Sequence, residues 1–188
     1  STQQDTQDNK KLTLSMQKRS TYGILLFSLT LTFASIDWFM SLTPHWFSTI
    51  FGVYFFAGSV VAALSFTSIA LFLLLKKGYL KNVVTVEHFH DIGKLMYGFN
   101  VFWAYIAFSQ YFLIWYSNIP EETEFFIHHF EGSWKSVGIA LTIGHFAIPF
   151  VLFMSRHVKR NIKLNVAFAT WFLLMHFLDL YWLIMPTL

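Results

Sequence analysis

The sequence predicts an all-α integral membrane protein, a bundle of five transmembrane helices. Three observations carry that prediction. The 188 residues are 55% hydrophobic and 20% aromatic. Charged residues make up 12%, about half the usual share of a soluble domain. Apolar runs of roughly 20 residues recur, the length a helix needs to cross a bilayer. The runs are continuous rather than alternating, which excludes a β-barrel. There is no cysteine, so disulfides, thiolate-held iron–sulfur clusters and cysteine zinc sites are excluded. A metal or haem held by this chain would rely mainly on its eight His.

Residues 1–19 read as a polar segment without the apolar core of a cleavable signal peptide, and the bundle occupies 20–188. The first span covers about 20–40, with Asp37 in its last turn. Thr43-Pro44-His45-Trp46-Phe47 follows as a short interfacial turn or helix, its aromatics at headgroup level. The second span is about 51–75 and the third about 95–116. Thr85 is an N-cap type with Glu87 in the first turn, so the third helix should begin near Val86. Asn118-Ile119-Pro120-Glu121-Glu122 closes it and opens a short acidic surface helix, because Pro suits the first helical position and Glu the first turn. His128-His129 in that loop reads as exposed or as an adventitious metal site. The fourth and fifth spans cover about 136–154 and 164–184.

Sorting the cations supports this count. Lys10, Lys11, Lys18, Arg19, Lys76, Lys77, Lys81, Lys94, Arg156, Lys159, Arg160 and Lys163 fall on one side of a five-span arrangement, and only Lys135 falls on the other. The positive-inside rule makes the first side cytoplasmic and the acidic 117–135 loop periplasmic, across a bacterial inner membrane. A wrong number of spans would scramble the split. The abrupt start at Ser1 and end at Leu188 lead us to expect part of a longer chain.

Polar groups at bilayer depth are costly, so each is a functional candidate. Asp37, Gln110, His176 and Asp179 fall at similar depth, with His145 mid-span. His176 and Asp179 are three apart and share a helix face. These groups could converge on one polar layer, either as interhelical glue or as a proton relay or ligand site. The stretch Thr85–Lys94 packs Glu87, His88, His90, Asp91 and Lys94 together. It reads as a proton inlet, a metal site or a solvated helix end; His88 and His90 point about 200° apart on a helix and make a poor metal pair. Asp91, Gly98, Tyr105 and Ser109 fall on one helical stripe leading from this cluster towards the polar layer. The proton-path candidates are therefore Asp37, Glu87, His90, Asp91, Tyr105, Gln110, His145, His176 and Asp179.

Several stretches carry a resemblance. Ile36-Asp37-Trp38-Phe39-Met40-Ser41-Leu42-Thr43-Pro44-His45-Trp46-Phe47-Ser48-Thr49-Ile50-Phe51-Gly52, His90-Asp91-Ile92-Gly93-Lys94-Leu95-Met96, Phe102-Trp103-Ala104-Tyr105-Ile106-Ala107-Phe108-Ser109-Gln110-Tyr111 and Trp115-Tyr116-Ser117-Asn118-Ile119-Pro120-Glu121-Glu122 resemble the NrfD-like membrane subunits of alternative complex III, most closely the ActF type. The likeness covers most of the first three spans; the fourth and fifth are less distinctive. It implies a cofactor-free membrane subunit of a quinol-oxidising respiratory complex, contributing to proton transfer and assembly. It implies roughly the C-terminal half of a larger subunit. The expected partners are an iron–sulfur protein, a multi-haem cytochrome c, a second NrfD-like subunit that holds the assigned quinol site, and a terminal oxidase. Iron–sulfur clusters and c-type haems would lie in those partners, and no nucleic acid is involved. Two alternatives stay open: a b-type cytochrome using His145 and His176, and a secondary transporter with a midplane site.

Overall fold

The expected apolar segments all fold as helices. The computed structural model of the chain describes residues 10–80 and 83–187, so residues 1–9 of the polar 1–19 segment, Lys81, Asn82 and Leu188 lie outside the described residues. Among those described there are helices and turns and no strand. In chain order the helices are α1 (Lys10–Trp38), α2 (Phe51–Lys76), α3 (Val86–Ser117), α4 (Pro120–Phe130), α5 (Trp134–Leu141), α6 (Ile148–Leu152), α7 (Arg156–Arg160) and α8 (Ile162–Ile184). A π-helical turn, Thr142–Ala147, joins α5 to α6 without a break.

Among the described residues four stretches are long and apolar enough to cross a membrane: Lys11–Leu42, Phe51–Lys76, Trp134–Leu152 and Ile162–Ile184. The fifth expected span lies in α3, which at 32 residues is long enough. Its hydropathy is diluted by Asn100, Gln110 and its Tyr and Trp residues. α1 starts at Lys10, well before the expected residue 20, so part of the polar segment is helical.

Local chemistry sets the helix ends. α2 stops at Lys76, and Gly78 takes φ 92° while Tyr79 N–H reaches back to the Leu74 carbonyl at 3.0 Å, a Schellman closure that glycine makes cheap. α3 begins where expected: the Thr85 backbone N–H donates to Nδ1 of His88 at 3.1 Å, the ring standing in for the usual glutamate of a capping box. Asn118, at φ 50°, closes α3. Asn161 caps α8, accepting from the Lys163 and Leu164 amides at 3.1 and 3.3 Å.

α2 is the hub, packing along α1, α3 and α8, while the α5–π–α6 rod lies against α3 and α8. α1 is peripheral: 6% of its most apolar stretch is buried, against 22% for α2 and 28% for α8. One aromatic core joins Trp46, Phe51, Trp103, Phe125 and Trp182 at the α4 end of the bundle. A second, smaller core joins Val61, Met96, Phe153, Ala169 and Phe172. Trp46 is 3% exposed and stacks on Phe125 at 4.0 Å, so it anchors α4 to the bundle.

Candidate functional site

The α2–α8 seam is antiparallel and has a polar tie near each end. At one, Ser68 Oγ donates to Asn165 Oδ1 at 2.8 Å. At the other, the Tyr54 hydroxyl donates to Asp179 Oδ1. Fourteen residues separate the ties on each helix, about 21 Å of rise. Between them Gly58 backs onto His176: a Cβ there would lie 3.0 Å from Cε1 and 3.1 Å from Nδ1 of the ring. Val61, Met96 and Phe172, with the buried Ser65 hydroxyl donating to Met96 Sδ at 3.4 Å, occupy the rest of the interval. No hydrogen-bonded chain among the described residues runs the length of the seam.

The Asn165 tie is structural. Its amide also donates to the carbonyls of Phe89 at 3.0 Å and Lys159 at 3.1 Å, pinning α3 and α7 to α8. Lys159 is buried, donates to the Met154 carbonyl at 3.0 Å and lies 4.7 Å over the Tyr97 ring. Burial, and secondarily the charge of Lys94, push its ammonium below the ordinary lysine value.

The Asp179 tie is different in kind. Asp179 is 2% exposed and accepts a hydrogen bond from Tyr54, with the Trp103 indole close enough to interact with both. The Trp103 ring lies 5.7 Å from the Tyr54 ring and stacks at 3.9 Å on His145. His145 is fully buried, and neither of its ring nitrogens has a partner among the described residues; the same holds for Nδ1 of His176. His145 sits in the π turn. Pro149 has no N–H to give back to the turn before it. The Gly144 carbonyl is satisfied instead by the Trp171 indole, which donates at 2.8 Å. Such π turns are frequent at functional sites.

Asp179 and Tyr54 also form part of the wall of a 720 Å³ cavity enclosed by α2, α3, α4, α5 and α8. Phe51, Phe125, Phe126, Phe146 and Leu183 give it a largely aromatic lining. Gln110, 7% exposed, reaches into it and makes no hydrogen bond among the described residues. Tyr105 and Phe108 line its exposed rim.

Of the sequence candidates, Gln110, His145, His176 and Asp179 are therefore brought together, and the others are not. Asp37 lies on an exposed face of α1, because α1 meets the bundle only at its edge. The Asp91–Gly98–Tyr105 stripe is exposed, so it does not lead into the bundle; the face of α3 that turns inward is Phe89, Gly93, Met96, Asn100, Trp103, Ile106, Gln110 and Ile114. Glu87, His90 and Asp91 form an ion-pair cluster at the helix end. Asp91 pairs with Lys94 at 2.8 Å, which lowers its carboxyl from the usual value, while Glu87 pairs with Arg160 of α7 and approaches His90 at 3.7 Å.

The acidic helix expected after Ser117 is present as α4, with Pro120 at its first turn and Glu121 and Glu122 beside it. His128 is exposed and 3.7 Å from Glu124. His129 corrects the expectation of exposure: it is fully buried, stacks on Phe125 at 3.9 Å, meets Trp182 edge-on at 4.7 Å and bonds the Phe125 carbonyl at 2.7 Å. Burial holds its pKa below the ordinary histidine value. Sequence reasoning missed Tyr54, Trp103 and Asn165. One hydroxyl or indole in a chain with 23 Phe, 8 Tyr and 7 Trp carries no local signal.

No family model matches the chain, and no curated protein matches it.

Proposed function

We propose that the chain is a membrane-embedded subunit, without a redox centre of its own, of a quinol-oxidising electron-transfer complex of the alternative complex III kind. Its working part is the Tyr54–Asp179 pair, which takes up and passes on protons with His176 and His145 close by. The observation that carries this reading is a carboxyl group buried between apolar helices, with a phenol as its hydrogen-bond partner, on the wall of a cavity. Ionisable groups at such depth are retained for function more often than for packing. The motif runs of the first three spans support the assignment to a respiratory complex.

In this reading α3 is the fifth span and the basic ends of α2, α3 and α8 face the cytoplasm of a bacterial inner membrane. Glu87, His90 and Asp91 then form a solvated, ion-paired cytoplasmic helix end. The layer of Val61, Met96 and Phe172 separates that end from Asp179, so protons handled at Asp179 exchange through the cavity on the acidic, periplasmic side. The partners carry the iron–sulfur clusters and c-type haems.

Gentle isolation from native membranes, followed by mass spectrometry of what accompanies the protein, tests the assignment. Multi-haem and iron–sulfur subunits are expected; a chain that comes alone contradicts it. The b-type cytochrome reading keeps one observation, the unpartnered nitrogens of His145 and His176. A reduced-minus-oxidised spectrum without an α-band eliminates it.

A further inference from the structure

Eleven of the twenty residues that line the cavity beside Asp179 are aromatic. Their rings come from every side: Phe51 stands on α2, Trp103 and Tyr111 on α3, Phe126 on α4, Phe146 on the π turn and Trp182 on α8. Asp179 is the charged residue of the lining, and among the described residues no Lys, Arg or His joins it there. Its carboxyl accepts from the Tyr54 hydroxyl and has the Trp103 indole beside it. Both neighbours are neutral donors. A buried carboxylate without a counter-charge is costly. The ring faces around it carry the negative end of the aromatic quadrupole, which attracts a cation within about 6 Å of the ring centre.

We infer that this cavity binds a lipophilic organic cation, a protonated amine or a quaternary onium ion with apolar substituents. The charged centre lies between the Asp179 carboxylate and the ring faces. The substituents fill the rest of the 720 Å³, a volume within the roughly 300–1,000 Å³ of small-molecule pockets. An amine N–H has a further acceptor in the side-chain oxygen of Gln110, which is 7% exposed and lines the same space. Other occupants fit less well. An anion meets a carboxyl group and no Lys or Arg. A small inorganic ion gives up its water only for a close shell of oxygens, and these walls are mostly rings. A neutral hydrocarbon leaves the carboxyl without a partner of opposite charge. Tyr105 and Phe108, exposed at the rim, leave a way in from the bilayer, as a lipophilic cation requires. The inference rests on the proposed proton role in one respect: a cation seated at Asp179 occupies the carboxyl that handles protons and should block it. Binding itself needs neither that role nor a partner subunit.

Tetraphenylphosphonium binding tests it, with triphenylmethanol as a neutral molecule of similar shape. The protein, with the subunits that accompany it, is placed in phosphatidylcholine nanodiscs, which hold no membrane potential to concentrate the cation. Radiolabelled tetraphenylphosphonium should bind saturably above the level of empty nanodiscs. Unlabelled cation should displace it, and triphenylmethanol should not. Asp179→Asn should weaken binding by about tenfold or more. Ala104→Phe, which fills the cavity, should abolish it. Phe108→Leu, at the exposed rim, should weaken it about threefold, the value of one exposed cation–ring contact. All three variants are compared with the parent for thermal stability. If the two buried changes fail to fold, Phe108→Leu and the preference for charge in the parent decide the matter. Binding no greater than that of empty nanodiscs overturns the proposal. Equal displacement by triphenylmethanol does too, because it marks a merely apolar surface, and so does full affinity in a folded Asp179→Asn. Failure of the proton role looks different: binding stays saturable and charge-selective while Asp179→Asn leaves proton release unchanged.

Discussion

Two polar regions of this molecule use similar side chains to opposite ends. At the basic end, Glu87, His90, Asp91, Lys94 and Arg160 pair with one another at the surface. Each charge there has a partner and solvent besides, and exposed pairs of this kind contribute about 0–1 kcal/mol each. Inside the α2–α8 seam, Asp179 is 2% exposed, with Tyr54 and Trp103 beside it. The dense cluster attracts the eye in the sequence, yet the solitary carboxyl is where the fold has concentrated chemical consequence. Charge density along a chain is therefore a poor guide to function. Burial without full pairing is a better one.

The contrast can be broken by substitution. The largest loss is expected at the seam. Tyr54→Phe removes the hydrogen bond to the buried Asp179 carboxyl, a cost of about 1–3 kcal/mol, read as a lower melting temperature in lipid nanodiscs. Asn165→Leu strips the bonds to Ser68, Phe89 and Lys159 together and should cost about 2 kcal/mol or more, with the loss read as faster hydrogen exchange in α7. Gly58→Leu forces His176 away from α2, since even a Cβ would meet it at 3.0 Å. Overpacking of that sort costs about 1–3 kcal/mol, and a second change, His176→Ala, should recover part of it.

A smaller, pH-dependent effect belongs to α4. The folded His129 has its pKa lowered, chiefly by burial. The undocked helix therefore protonates first. Docking is fully kept above the ordinary histidine value of about 6.5 and weakens as pH falls below it. Hydrogen exchange across Pro120–Phe130, corrected for intrinsic rates, should speed up towards about pH 5, and His129→Phe should remove that dependence. The smallest effects are expected at the basic end: Arg160→Ala should shift stability by about 0.5 kcal/mol or less, and Asp91→Asn should leave the melting temperature unchanged.

The helices were legible because bilayer-length apolar runs and capping residues are local signals. Val86 as a helix start, Pro120 as another and the ends of α2 and α8 follow directly from Thr85, Glu121 and the apolar runs. His145, His176, Asp179 and Gln110 were legible too, as polar residues where polar residues are expensive. What depended on which face turns inward was hidden. α3 is apolar on nearly every face, so periodicity did not reveal that Asp91 and Tyr105 point out while Asn100 and Gln110 point in. His129 was hidden because its burial comes from Trp182, more than fifty residues away in the chain. Tyr54 was invisible as a partner until α2 and α8 were set antiparallel.

The central claim is that Asp179 handles protons. The most direct test is quinol-driven proton release from vesicles holding the assembled complex, with the parent compared with Asp179→Asn, a change that keeps the side chain's size and its capacity to accept from Tyr54. The account predicts a fall in proton release of about tenfold or more, equivalent to a barrier raised by roughly 1.4 kcal/mol, in a complex that still assembles. Proton release and quinol turnover both unchanged in Asp179→Asn would contradict it and leave the pair as a tie between two helices.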